Sequence, residues 1–244
     1  MSNQFVFSSN KTSWTTNFEK SIHVDNDQNQ YEIALLNLET YNSIPNIDES
    51  NNIFVYGVST DHRLKHEIEI PVGSYDITDI NNVIQKTMKE RGHWDQENEK
   101  YLITLSANNS TLKCELNIAF GTHTDFTKGK SLASLLGFEK NIYEIGNYDS
   151  ENPVNIIPVN SIFVNCDVVG GTFLNGKSIP ILYSFFPNVS PGMKIIEKPN
   201  HLVFLPVTRT IDQVKIWLTD QNGNLLNLRN EVVTIRLQLR KIIK

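Results

Sequence analysis

The clearest alternation of apolar and polar residues lies near the C-terminus of the chain. Between residues 231 and 242 an apolar residue recurs at every second position, at Val233, Ile235, Leu237 and Leu239. An earlier run, residues 214–220, places Val214, Ile216 and Leu218 on one side and Lys215, Trp217 and Thr219 on the other. A period of two is typical of a strand with one buried face. The two runs therefore predict half-buried strands that complete an antiparallel sheet at the end of the chain.

Asn222-Gly223 lies between these two strands. This pair of residues supplies the positive φ angles of a type I′ turn, so it predicts a tight turn after residue 220. Residues 224–230 leave room for a short paired segment and a bend before the final strand.

Similar alternation, and short apolar runs bounded by turn residues, predict further strands upstream. They lie at residues 5–7, 31–38, 53–58, 67–72, 101–106, 111–120, 161–169, 179–186, 193–197 and 201–207. Residues 76–90 instead repeat apolar side chains at helical spacing, with Asp76 as a cap and Gly92 as a stop. A shorter helix is predicted over residues 131–136, ending at Gly137. Many short strands, with two helices in the excursions between them, favour an all-β sandwich, and the absence of a repeat or linker predicts one domain over residues 1–244.

Composition narrows the possible functions. The chain has 244 residues, 39% of them hydrophobic, which is enough to build a core in one large β domain or two small ones. A formal net charge of −5 argues against a general nucleic-acid coat, although Arg236, Arg240, Lys241 and Lys244 form a basic tail that offers a local patch. No apolar run reaches the roughly 20 residues of a membrane span, and the polar start of the chain lacks the features of a signal peptide.

Cys114 and Cys166 are too few for a disulfide framework or a four-ligand zinc site. Each sits among alternating apolar residues, so both are predicted as free thiols in or near the core. This usage of cysteine indicates a reducing location, the cytosol or the nucleus, and a protein that is not secreted.

One stretch matches an enzyme signature. Gly171 to Ser178 fits the G-x-x-x-x-G-K-[ST] phosphate-loop pattern letter for letter, and a predicted strand precedes it. That motif needs a helix directly after it, because the helix N-terminus helps to hold the phosphates. Residues 179–186 contain Pro180 together with β-branched and aromatic residues, which favours a strand. The stretch is therefore interpreted as a loop between strands, and nucleotide hydrolysis is kept only as a rival hypothesis.

His62 and His66 are four residues apart, the spacing of two metal ligands on a helix, but no third ligand accompanies them. The remaining histidines are scattered and form no Ser-His-Asp or Cys-His arrangement. We therefore predict no catalytic residue, no cofactor-binding residue, no metal ligand and no small-molecule substrate. The protein is expected to be non-enzymatic and to need no cofactor.

Six stretches, in this order, resemble the minor capsid (penton-type) proteins of Polinton/Maverick elements and adintovirus-like DNA viruses. They are YNSIPNIDESNN (41–52), PVGSYDITDINN (71–82), SLLGF (134–138), VNSIFVNCD (159–167), YSFFPNVSPG (183–192) and WLTDQNGNLL (217–226). The resemblance implies a single jelly-roll β-sandwich that forms homopentamers at the fivefold vertices of an icosahedral virion. It also implies a double jelly-roll major capsid protein as the partner, no nucleic acid as the primary partner, and assembly in the host nucleus or cytoplasm.

Trp217 is the candidate residue for the oligomer interface, because aromatic residues are enriched at interfaces and it lies on an otherwise polar strand face. The same position also fits a sheet face covered by an insertion. Residues 1–17 are interpreted as a possible N-terminal arm that orders on assembly. The main alternative function is a jelly-roll module that binds a receptor or a glycan, which requires a concave cluster of aromatic and amide side chains.

Overall fold

The chain divides into two units, each with its own hydrophobic core. The sandwich unit comprises residues 1–44 and 159–244, and the inserted unit comprises residues 45–158. The computed structural model describes residues 2–24, 30–59 and 64–242.

The elements of the described residues are given in chain order. The strands are β1 (Ser2–Ser9), β2 (Ser13–Ile22), β3 (Tyr31–Tyr41), β4 (Ile53–Gly57), β5 (His66–Glu69), β6 (Ile103–Asn108), β7 (Lys113–Ile118), β8 (His123–Asp125), β9 (Ile142–Tyr143), β10 (Gly146–Asp149), β11 (Ile162–Cys166), β12 (Phe173–Leu174), β13 (Lys177–Ser178), β14 (Ile181–Phe185), β15 (Lys194–Glu197), β16 (Leu205–Pro206), β17 (Ile211–Thr219) and β18 (Val233–Lys241). The helices are α1 (Ile77–Glu90) and α2 (Ala133–Leu136).

The sandwich unit is built from two antiparallel sheets. The first sheet has the order β1-β18-β3-β15, with β16 also paired to β3, and the second sheet has the order β14-β11-β17-β2. The strands β1, β2, β3 and β11 alternate between the two sheets, β14 stays in the sheet of β11, and β15, β17 and β18 alternate again. The last strand lies between the first and the third. This is the strand order of a jelly roll, so the predicted all-β jelly-roll sandwich is confirmed.

The apolar residues of the alternating pattern fill the core of this unit. From β18, Ile235 and Leu237 point inward, and from β17, Ile216 and Leu218 do the same, all of them at most 1% exposed. Burying such side chains is worth about 1.5–3 kcal/mol each, so the inward faces of the two sheets supply the main stabilisation of this unit.

The C-terminal strands are confirmed, but their turn differs from the prediction. β17 and β18 lie in different sheets, and the final strand pairs with β1 and β3. Gly223 has a φ of 86° and donates its N–H to the carbonyl of Asp220 at 3.1 Å, whereas Asn222 has no positive φ. The type I′ prediction is therefore wrong, because that turn needs a positive φ at both residues. The predicted short paired segment is present as a bridge between Thr219 and Leu225.

The start of the chain is more regular than its polar composition suggests. The possible arm was predicted over residues 1–17. Its described part, residues 2–17, contains β1 and the beginning of β2, which pair with β18 and β17 respectively. No strand was predicted for β2, because most of its residues are polar. Its apolar residues, Trp14, Phe18 and Ile22, are partly buried against the core. At the other end of the unit, the strand predicted over residues 201–207 shrinks to the two residues of β16.

The inserted unit contains two small sheets and both helices of the described residues. One sheet has the order β5-β4-β8-β9 and the other the order β10-β7-β6. α1 packs along β6, where the side-chain oxygen of Asn81 accepts the N–H of Leu105 at 2.8 Å. Its apolar stripe of Ile80, Ile84 and Met88 is at most 1% exposed. The predicted helices are confirmed, and both lie in an excursion between strands of the sandwich.

Candidate assembly surface

Trp217 lies at the centre of the second sheet and is partly exposed. Because Val214, Ile216 and Leu218 of the same strand point into the core, its indole points away from it. Ser13 of β2 and Asn165 of β11 are its cross-strand neighbours. The ammonium of Lys215 lies 5.5 Å from the centre of the indole ring. Trp217 is therefore an aromatic side chain on a mostly polar sheet face, as the alternation predicts.

Asn165 holds the backbone around Trp217 in place. Its side-chain NH₂ donates to the carbonyl oxygens of Phe163 and Trp217 at 3.2 and 3.1 Å, and to the hydroxyl of Thr219 at 3.1 Å. Asn165 is only 6% exposed although it lies on the outward face. A buried amide with its donors satisfied fixes the position of its neighbours, so the strand under Trp217 is held rigid.

The outward face of the first sheet carries paired charges. The ammonium of Lys194 lies 2.8 Å from a carboxylate oxygen of Glu39, and this hydrogen bond and charge hold the pKa of Glu39 below its usual value. Arg240 donates twice to one oxygen of Glu32, at 3.0 and 2.8 Å, and stacks 3.6 Å from the ring centre of Phe204. One residue of the predicted basic tail is thus already paired, and Lys244 lies outside the described residues.

Residues 171–178 form a hairpin and not a phosphate loop. β12 and β13 pair with each other, and Asn175 and Gly176 between them have φ angles of 50° and 79°. Two positive φ angles at the tip are typical of a type I′ turn. The following residues, Ile181–Phe185, form β14 and so provide no helix N-terminus at that place. The interpretation as a loop between strands is confirmed.

The structure describes one of the two histidines that lie four residues apart. His62 lies outside the described residues, and His66 packs against His93 with ring centres 4.4 Å apart. Nδ1 of His93 lies 2.9 Å from the hydroxyl of the buried Tyr56. Burial, and then the nearby His66 and Arg91, lower the pKa of His93. Within residues 2–24, 30–59 and 64–242 no group of three potential ligands could hold a metal ion.

Both cysteines are buried and free, as predicted. Burial raises the pKa of each thiol to about 12, so both stay protonated near neutral pH. A protonated thiol is a poor nucleophile and metal ligand, which makes these cysteines part of the core packing.

One surface was missed by the sequence analysis. Six polar side chains line the outward side of the sheet β10-β7-β6, and we call this set the polar face. Its members are Thr104, Ser106, Glu115, Asn117, Asn147 and Asp149. The sequence of each strand shows these polar residues at every second position. They could not be predicted to form one surface, because only the pairing of the three strands brings them together.

None of the helices in the described ranges has both the length and the apolar character needed to cross a bilayer.

The strand order defines a single jelly-roll sandwich whose third and fourth main strands are separated by the inserted unit. The crystal structure of the selenomethionine-labelled mavirus penton protein is similar to this chain over 99% of both chains, with a TM-score of 0.51 and 12% sequence identity. At that identity the likeness is one of fold, and it agrees with the resemblance to penton-type proteins noted in the sequence. Comparisons with protein-family models and with curated protein sequences give no match.

Proposed function

We propose that this protein is a penton, a minor capsid subunit of a Maverick-like or adintovirus-like DNA virus. The observation that carries the proposal is the likeness in fold to the mavirus penton protein, which spans 99% of both chains and so includes the insertion as well as the sandwich. In this role the protein is a non-enzymatic component of the virion. It forms homopentamers at the fivefold vertices beside a double jelly-roll major capsid protein, after assembly in the host nucleus or cytoplasm.

In a closed ring of identical subunits, each subunit contacts its two neighbours through two different surfaces. The sandwich unit has two different edges that can supply these surfaces. At one edge lie the terminal strands β14 and β15, with exposed Phe186, Met193 and Ile196 (67%, 59% and 55% exposed). The opposite edge of the first sheet is β1, where Val6 is 62% exposed. Apolar side chains at both edges support lateral contacts between unlike surfaces. Trp217, on an inner strand of the second sheet, is the candidate aromatic contact on the outward face of that sheet.

The oligomer is tested by light scattering after size-exclusion chromatography, over a series of protein and salt concentrations. We expect a discrete species of five 27.8 kDa chains, alone or in equilibrium with the monomer. A trimer contradicts the proposal. A strict monomer that also fails to join capsids when it is co-expressed with the major capsid protein contradicts it as well.

Trp217 is tested by substitution. We expect Trp217→Lys to raise the dissociation constant of the pentamer about tenfold or more, since a buried aromatic contact contributes at least about 1.4 kcal/mol. Trp94→Lys is the matched control, because Trp94 is also partly exposed and also lies beside a lysine. The ammonium of Lys89 is 4.4 Å from the centre of the Trp94 ring. Equal effects of the two substitutions, or no effect of either, would remove Trp217 from the interface.

A second candidate function, a glycan-binding attachment module, is favoured by one observation. An open groove with tyrosine and amide side chains lies over the polar face of the inserted unit.

A further inference from the structure

The groove over the polar face has a volume of about 710 Å³ and is open to solvent. Beyond the six residues of the polar face, it is lined by Glu99, Lys100 and Tyr101 from the segment before β6, and by Leu116 and Tyr148 of the sheet itself. Small-molecule sites typically have volumes of about 300–1,000 Å³, so the groove has room for a short oligosaccharide.

The polar side chains of the groove are arranged in two rows across the sheet. Thr104, Asn117 and Asn147 occupy one row of paired positions, and Ser106, Glu115 and Asp149 occupy the next. Each row offers hydroxyl, amide or carboxylate groups, which suit the alternating donors and acceptors of sugar hydroxyls. Such a row of polar and charged groups, fixed on paired strands, differs from the buried core of a protein–protein interface, which is depleted of charged residues.

Hydrogen bonds within the sheet already hold several of these groups in position. The amide of Asn117 donates to the side-chain oxygen of Asn147. Glu115 accepts from the hydroxyl of Ser106 at 3.2 Å and from the amide of Asn108 at 2.9 Å. A ligand therefore meets groups that have already lost rotamer freedom, which reduces the entropic cost of binding.

Tyr101 provides an aromatic surface beside these rows. Its side chain is 42% exposed, and it lines both this groove and a neighbouring one of about 390 Å³ along α1. The face of an aromatic ring is negative and apolar, so it packs against the C–H face of a pyranose while polar groups bind the hydroxyls.

Charge decides which class of glycan fits. Glu99, Glu115 and Asp149 bring three carboxylates to the groove, and Lys100 brings one ammonium. An anionic sugar is therefore repelled, because like charges brought together cost free energy. We propose that the polar face and Tyr101 bind a neutral oligosaccharide, with Tyr101 stacking on one sugar ring and the amide and carboxylate groups binding its hydroxyls.

Binding at one such open site is expected to be weak. If the protein is a pentamer, as its proposed function requires, five equivalent grooves per vertex raise the avidity for a surface that displays many glycans. The single-site affinity does not depend on that assembly, so the two proposals can fail separately.

The test uses the full chain and three soluble probes: chitotriose, maltotriose and 3′-sialyllactose. Saturation-transfer NMR and amide shift titrations are expected to give a Kd of about 0.1–10 mM for at least one neutral trisaccharide, and weaker binding of the sialylated probe. The shifted amides are expected to lie in β6, β7, β10 and around Tyr101.

Substitutions assign the binding to this groove. Tyr101→Ala and Asn117→Ala are each expected to weaken binding about tenfold, which corresponds to about 1.4 kcal/mol. Tyr41→Ala is the matched control, because Tyr41 is a tyrosine of similar exposure (45%) in the sandwich unit. The oligomer mass of each variant is measured alongside and is expected not to change.

Four results would overturn the proposal. They are no saturable binding of either neutral probe, tighter binding of 3′-sialyllactose, undiminished binding by Tyr101→Ala, and an equal loss in Tyr41→Ala. Binding of a lysine-rich peptide at these amides, without binding of the neutral probes, would assign the groove to a basic protein partner instead.

Discussion

At the scale of single residues, Asp125 at the end of β8 is the clearest buried charge of the described chain. Its side chain is fully buried and forms an ion pair with the ammonium of Lys65. It also accepts from the backbone N–H and hydroxyl of Thr127, at 2.9 and 2.6 Å. Burial on its own would raise the pKa of Asp125, but the bonds from Lys65 and Thr127 outweigh burial and hold the pKa below its ordinary value.

We predict that Asp125→Asn lowers the free energy of unfolding at neutral pH by about 3 kcal/mol, since removal of one partner leaves the other charge partly buried and unpaired. A carboxyl group with a depressed pKa stabilises the fold above its unfolded pKa of about 4, and this stabilisation is lost as the pH falls through the folded pKa. Urea unfolding at a series of pH values checks both points. The difference between wild type and variant should shrink below about pH 4.

Asp212→Asn is the control for this prediction, because Asp212 is an exposed carboxylate that also pairs with an arginine, Arg209, at 3.2 Å. Exposed ion pairs contribute little to folding stability, so Asp212→Asn should leave the free energy of unfolding nearly unchanged. A gap between wild type and Asp125→Asn that stays constant down to acid pH would contradict the role assigned to this carboxylate.

At the scale of elements, α1 shows what the sequence determines locally. The carboxylate of Asp76 accepts the backbone N–H of Asp79 at 2.7 Å, and the carboxylate of Asp79 accepts the backbone N–H of Asp76 at 3.3 Å. These two reciprocal hydrogen bonds form a capping box. At the other end, Gly92 and His93 donate to Lys89 and Met88, with Gly92 at a φ of 74°. Both ends were predictable because each signal lies within a few residues of the helix.

We predict that Asp76→Ala lowers the free energy of unfolding by about 1 kcal/mol, because the N–H of Asp79 loses its partner. Chemical denaturation measures this loss. Glu90→Ala, at the exposed last residue of the same helix, is the control and should change stability by less. If Asp76→Ala were neutral, water would be satisfying that N–H as well as the cap does.

The pairing of strands is the part of the fold that local sequence did not determine. The alternation around Trp217 and Leu237 located both C-terminal strands, but only non-local packing places β17 and β18 in opposite sheets. The same limit applies to the candidate sites. Trp217 could be named from its strand, whereas the polar face needed three strands and Tyr101 to be brought together by the fold. Residues 171–178 illustrate the converse, because the letters of a phosphate loop occur there in a hairpin.

At the scale of the whole molecule, the inserted unit has ends that are held together within the unit itself. The side chain of Asn46, 8% exposed, donates to the carbonyl oxygens of Tyr75 and Ile156 at 2.7 and 3.0 Å. It also accepts the N–H of Tyr75 at 2.9 Å. Asn46 and Ile156 lie near opposite ends of residues 45–158, so one buried amide joins the entry and the exit of the insertion.

The single domain predicted over residues 1–244 stays a prediction, and calorimetry of the full chain tests it. One cooperative transition, with equal calorimetric and van't Hoff enthalpies, would support a single folding unit. Two separate transitions would instead assign one to each compact unit.

We predict that a fragment of residues 45–158 folds without the sandwich, because it has its own core around Ile80, Ile84 and Phe126 and because Asn46 closes its ends. A dispersed amide spectrum and a cooperative melt are the expected outcome. Asn46→Ala should lower the stability of the fragment by about 1–2 kcal/mol, or roughly 5–10 °C in Tm, since it leaves buried backbone groups without a partner. Asn98→Ala is the control, because Asn98 is exposed and its side-chain amide donates to Asp95 in a solvent-exposed hydrogen bond. The prediction is contradicted if the fragment is unfolded, or if both substitutions lower its free energy of unfolding equally. In either case closure by Asn46 does not make the insertion a separate folding unit, and the stability of the insertion must come from the rest of the chain.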